Sequence, residues 1–118
     1  MYTETEELQI DIGDNLRKLG ISPRYKGYQY LIDIVSIYIE SGDKRLMITK
    51  DVYPATARKF KTSPYVIERN VRHAISIGWR ANKRAFDEIA GFHLQRKPTN
   101  SEFADRFAHY MIKLASGK

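Results

Sequence analysis

The chain has 118 residues, 42% hydrophobic and 29% charged, with no cysteine and a formal net charge of +6. That length is expected to make one domain with a core of ordinary size, and the lack of cysteine excludes disulfides, thiolate metal sites and cysteine nucleophiles together. No apolar run is long enough to cross a bilayer, and the acidic start MYTETEELQ has neither the basic nor the apolar stretch of a secretory signal. The expected location is therefore cytoplasmic, with no membrane partner.

Residues 1–7 read as a flexible acidic start. Leu8, Ile12, Leu16 and Leu19 then recur at helical spacing, with acids early and Arg17 and Lys18 late, as the helix dipole favours. Gly20 is a natural stop. Ser22-Pro23 has the form of a cap and first turn for a second helix carrying Tyr28, Leu31, Ile32, Val35, Tyr38 and Ile39 and ending at Ser41-Gly42. Asp43-Lys44-Arg45 reads as a turn. Leu46-Met47-Ile48 is too brief to separate a strand-like stretch from the lead-in to a helix, and Thr49 is placed to cap a turn. A short helix follows around Pro54 and ends by Phe60 or Lys61. Ser63 as cap with Pro64 at the first helical position starts a long helix that runs to about Arg80. A shorter helix is expected over Lys83–Ala90, stopped by Gly91. Thr99 and Glu102 have the spacing of a capping box for a last helix with Phe103, Phe107, Tyr110, Met111 and Leu114 on one side. The pattern is all-α, about six helices in one domain over residues 1–118.

The positive charge is concentrated. Residues 58–84 hold eight Lys/Arg against Glu68 alone, whereas residues 1–57 hold seven Lys/Arg against nine Asp/Glu. Such clustering is the footprint of a polyanion binder, although solvated basic faces also occur without one. The short helix around Pro54, the turn Lys61-Thr62-Ser63 and the long basic helix have the order of a helix-turn-helix. In the long helix Ile67, Val71, Ala74, Ile75 and Gly78 share one face, and Glu68, Arg69, Arg72, His73 and Ser76 share the opposite one. Burying the first face presents the second outward. Arginines near a helix N-terminus suit guanine O6 and N7 in the major groove, and a glutamate suits cytosine N4. The base-reading candidates are Arg69, Arg72 and Glu68; Glu68 alternatively only orients an arginine or pairs with Arg72 on the surface. The phosphate candidates are His73, Lys61, Thr62, Ser63, Arg58, Lys59 and Arg80. Ser63 alternatively only caps, and His73, Arg58, Lys59 and Arg80 are alternatively solvated surface residues. Trp79 and the tyrosines read as core. The three histidines lie far apart and no acid, base or ligand set converges, so neither an enzyme nor a metal or other cofactor is expected.

Ile48–Phe60 and Val66–Trp79 resemble the two helices of the helix-turn-helix in the C-terminal effector domain of the sporulation initiation response regulator family of endospore-forming bacteria. Lys26-Gly-Tyr-Gln-Tyr-Leu31 is similar to the start of that domain's second helix, and Lys97-Pro-Thr-Asn-Ser-Glu-Phe103 to the lead into its last. The matches run in the family's order over roughly residues 16–115. The resemblance implies a six-helix domain that binds a short DNA box as tandem copies, regulates transcription and contacts the sigma subunit of RNA polymerase. It implies base and phosphate contacts at Glu68, Arg69, Arg72 and His73. Arg80–Leu94, near the surface the family turns toward polymerase, departs from the pattern. No receiver is recognisable within residues 1–18, so phosphorylation control is expected to lie outside this chain. A non-catalytic module of the same fold, docking on polymerase or on a full-length relative, is the alternative function.

Overall fold

The computed structural model describes residues 5–42 and 44–117. They form six helices: α1 Thr5–Lys18, α2 Lys26–Ser41, α3 Tyr53–Lys59, α4 Pro64–Ala81, α5 Lys83–Ala90 and α6 Asn100–Ser116. There is no strand among the described residues. Within the acidic start, residues 1–4 lie outside the described residues and the chain is already helical from Thr5. Asp43 also lies outside the described residues.

α2 is the central element and packs against α1, α4 and α6. It is buried around much of its circumference, with Tyr28, Tyr30, Leu31, Ile34 and Val35 all in the core. The single stripe expected for it is too narrow: Tyr30 and Ile34 are buried, whereas Ile32, Tyr38 and Ile39 are only half-buried. α1 contributes Leu8, Ile12, Leu16 and Leu19, and α6 contributes Phe103, Phe107 and Met111. Phe103 stacks on Phe107 at 5.3 Å and meets Phe86 of α5 at 5.5 Å, while Trp79 sets its edge against Phe86 at 5.6 Å. These rings tie α4, α5 and α6 into one core.

The caps of the later helices follow the sequence pattern. Ser63 Oγ accepts the Val66 N–H at the start of α4. Thr99 and Glu102 form a reciprocal capping box on α6. Gly91 closes α5 in the left-handed region, at φ 85°.

Two boundaries differ from expectation. Ser22-Pro23 does not start α2, which begins at Lys26 behind Tyr25. The Ser22 hydroxyl instead accepts the Arg24 N–H and its carbonyl accepts the Tyr25 N–H, making a separate turn after the fully buried Ile21. The Leu46–Ile48 stretch leads into one wide turn of helix, Ile48–Val52, which runs directly into α3. Asp51, not Thr49, ties that turn, because its carboxylate accepts the Met47 N–H at 2.9 Å.

Two contacts across the core set how α3 and α4 sit on α2. Gly27 lies so close to α4 that a Cβ there would come within 2.3 Å of the Asn70 carbonyl oxygen. Asp33, buried on α2, accepts a hydrogen bond from the Thr56 hydroxyl at 2.7 Å and pairs with Lys59 at 3.0 Å, both on α3.

Candidate nucleic-acid interface

α3 and α4 pack together, joined by the four residues Phe60–Ser63. The turn has no glycine; Lys61 takes the left-handed conformation instead, at φ 55°. Its N–H is bonded to the Arg58 carbonyl and that of Thr62 to the Ala57 carbonyl. The backbone donors at Lys61 and Thr62 are therefore consumed by the turn, leaving the exposed Lys61 side chain as its cationic group.

α4 buries Ile67, Val71, Ala74, Ile75 and Gly78, the five residues its apolar periodicity selects. Its other face carries Arg69, Arg72 and His73, all exposed, with Glu68 and Ser76 half-buried. Arg72 is forked onto Glu68, with Nε 2.9 Å from one carboxylate oxygen and the terminal nitrogen 3.4 Å from the other. That pairing holds the guanidinium above its ordinary proton affinity. Arg69 lies over the exposed Tyr65 ring, 5.4 Å from its centroid. A shallow groove of about 430 Å³ runs along this face, lined by Arg69, Asn70, Arg72, His73, Ser76, Arg80 and Lys97.

Five of the residues selected from sequence thus share one surface, Glu68, Arg69, Arg72, His73 and Arg80 along α4, and Lys61 is exposed in the turn before it. Ser63 is engaged in capping through its hydroxyl, and Thr62 is half-buried beside it. Arg58 is exposed on α3. Lys59 is directed elsewhere, toward Asp33 of α2.

Two groove neighbours escape a reading of the sequence. Lys97 reaches the groove from the connection after α5, and its Nζ donates to the Ser76 hydroxyl at 2.6 Å. Tyr65 is 66% exposed, which its place four residues before Arg69 could have signalled. A third feature positions the face from behind. The Asn100 amide donates to the Tyr53 hydroxyl at 2.9 Å and to the Glu68 carbonyl at 3.1 Å, joining α3, α4 and α6. Burial pushes the Tyr53 hydroxyl's pKa upward, so it stays a neutral partner.

A family model described as "Sporulation initiation factor Spo0A C terminal" matches residues 12–111. The chain belongs to this family. The Spo0A C-terminal family is the DNA-binding domain of a sporulation regulator, a regulatory and not a catalytic domain. The Spo0A match takes in the whole of α2 to α5, and with them the complete groove and Lys97. No cluster of three or more His, Asp or Glu placed to hold a metal ion occurs among the described residues. No described helix is long and apolar enough to cross a membrane.

Proposed function

We propose that this chain binds double-stranded DNA sequence-specifically and regulates transcription, with α4 lying in the major groove. The observation that carries this reading is the division of α4 into a fully buried apolar face and an outward face bearing Arg69, Arg72 and His73. A helix about 10–12 Å across with its side chains fits the ~12 Å major groove, and arginine is the side chain best shaped to bond guanine there. In this arrangement Arg69 and Arg72 read bases, and Glu68 orients Arg72 through both carboxylate oxygens, whose remaining lone pairs can accept from cytosine. His73, Lys61 and Arg80 contact phosphates, joined by Arg58 and by the hydroxyls of Thr62 and Ser63, whose O–H groups remain free to donate. Lys97 completes the groove wall. Lys59 is engaged by Asp33 of α2 and takes no part.

Fluorescence anisotropy tests this. A duplex enriched from a random-sequence pool should bind more tightly than its scrambled counterpart at both low and physiological salt, and both affinities should fall steeply with salt. Equal affinity for the two duplexes removes sequence reading, and no retention at low salt removes DNA binding altogether.

A second activity, docking on the sigma subunit of RNA polymerase, is favoured by Phe92. It stands 55% exposed beside α5, lining a recess with Leu94 and Pro98, with the Arg106 guanidinium 5.2 Å from its ring centroid. A ternary complex of chain, duplex and sigma subunit that Phe92→Ala abolishes supports this role; a duplex complex that sigma never joins removes it. Tandem occupancy of DNA by two copies belongs to the same reading and would appear as a second, cooperative step in the titration.

A further inference from the structure

The cationic surface does not end at α4. Tyr25, in the connection between α1 and α2, packs edge-to-face with the His73 imidazole, with centroids 5.9 Å apart and planes at 76°. Arg24 lies over the same Tyr25 ring, 5.5 Å from the centroid. A column of three side chains therefore runs from the outward face of α4 to an exposed guanidinium on a different segment. Its base is firmly seated, because the start of α2 is pressed against α4 at Gly27.

Arg24, like Arg69 over Tyr65, lies over an aromatic ring, whereas several other arginines are taken up by carboxylates. Arg17, Arg72 and Arg96 each pair with a carboxylate, of Asp14, Glu68 and Glu102. Arg24 has no side-chain hydrogen bond or ion pair among the described residues; its guanidinium carbon lies over the Tyr25 ring. A guanidinium held over a ring without a hydrogen-bonded partner keeps its in-plane N–H donors free, the fork suited to two oxygens of one phosphate.

Position along α4 points the same way. From Ser63 to His73 is ten residues, about 15 Å at the helical rise, close to the ~12 Å width of a major groove. A helix seated in that groove meets the backbone of one strand near its entrance and of the other strand further along. Lys61 stands at the entrance, and the Arg24 column stands at the far position.

We propose that Arg24, held on Tyr25, is a phosphate clamp for the second strand of a DNA duplex whose major groove holds α4. This rests on the DNA-binding reading above and adds a contact on a separate segment. It positions the helix and carries no base specificity.

The test is anisotropy on the enriched and scrambled duplexes across a salt series, with the full chain and the variants Arg24→Ala, Tyr25→Ala and Tyr25→Phe. Arg24→Ala should weaken both duplexes by the same factor and flatten the slope of log affinity on log salt by about 0.9, one phosphate contact. Tyr25→Ala should move the slope the same way, and Tyr25→Phe, which keeps the ring, should leave it as in the wild type. Arg24 is exposed, so its variant should melt with the wild type. A wild-type chain that binds DNA with a steep slope, matched by an unchanged slope in Arg24→Ala, overturns the clamp and leaves the DNA-binding reading standing. A wild-type chain that retains neither duplex overturns both.

Discussion

Arg69 and Arg72 stand three residues apart on one face of α4, yet they are held in different ways. Arg72 is already bonded to Glu68 and must share or surrender that pair to engage a base. Arg69 lies over the Tyr65 ring with no hydrogen-bonded partner among the described residues, which leaves its donors open. Arg69→Ala should therefore cost the enriched duplex about 1–3 kcal/mol, read by anisotropy, with a much smaller loss on the scrambled one. An equal loss on both would assign Arg69 to the backbone and not to bases. The residue types on this face could be read from the sequence because helical spacing alone sorts them. Two other cations could not be placed that way. Lys59 belongs to Asp33, 26 positions away, and Lys97 to Ser76, 21 positions away; only the folded chain brings either pair together.

At the scale of elements, α4 is placed by anchors on three sides. Ser63 caps its start, Gly27 admits it close to α2, and Asn100 bonds its backbone at Glu68 while also bonding Tyr53. Asn100 is the anchor whose removal is most informative, because it orphans the buried Tyr53 hydroxyl and takes away the extra bond to the Glu68 carbonyl, which keeps its place in the helix ladder. Asn100→Ala should lower stability by about 1–3 kcal/mol, measured by thermal or urea unfolding, and should loosen α4 without touching the groove. Helix boundaries were legible where a local cap makes them, at Ser63, Gly91 and the Thr99–Glu102 box. The start of α2 was not, because Ser22-Pro23 satisfies the same local rule. There the Ser22 side chain closes a turn on Arg24, directly after Ile21 enters the core.

Over the whole molecule, carboxylates hold the connection between α5 and α6 that carries Lys97 to the groove. Arg96 and the Thr99 N–H hold the Glu102 carboxyl down at about 2, from an ordinary value of 4.5. The Leu94 N–H, and after it His93 and Lys83, lower the pKa of Asp87 as well. A depressed carboxyl stabilises the fold fully above its unfolded value, and that contribution is lost as pH falls through the folded one. Glu102 should therefore withdraw its support between pH 4.5 and about 2. Glu102→Gln removes the charge but keeps an acceptor for the Thr99 N–H, so the decline in stability across that window, followed by circular dichroism, should be shallower in the variant. An unchanged decline would place the acid sensitivity in other carboxylates. The basic stretch 58–84 was legible as a block in the sequence, whereas its sharing of one groove with Lys97 depends on this connection, which no periodicity describes.

The left-handed backbone at Lys61 sets two selective pressures against each other. Glycine would relieve a local strain of about 1 kcal/mol, offset in part by the greater freedom of the unfolded chain. It would also delete the cation at the entrance to α4. A library of variants sorted for heat resistance should then tolerate or enrich Lys61→Gly, while the same library sorted for retention on DNA should discard it and keep lysine or arginine. The turn between α3 and α4 would then mark a position where adaptation to temperature and adaptation to a regulatory target follow separate routes.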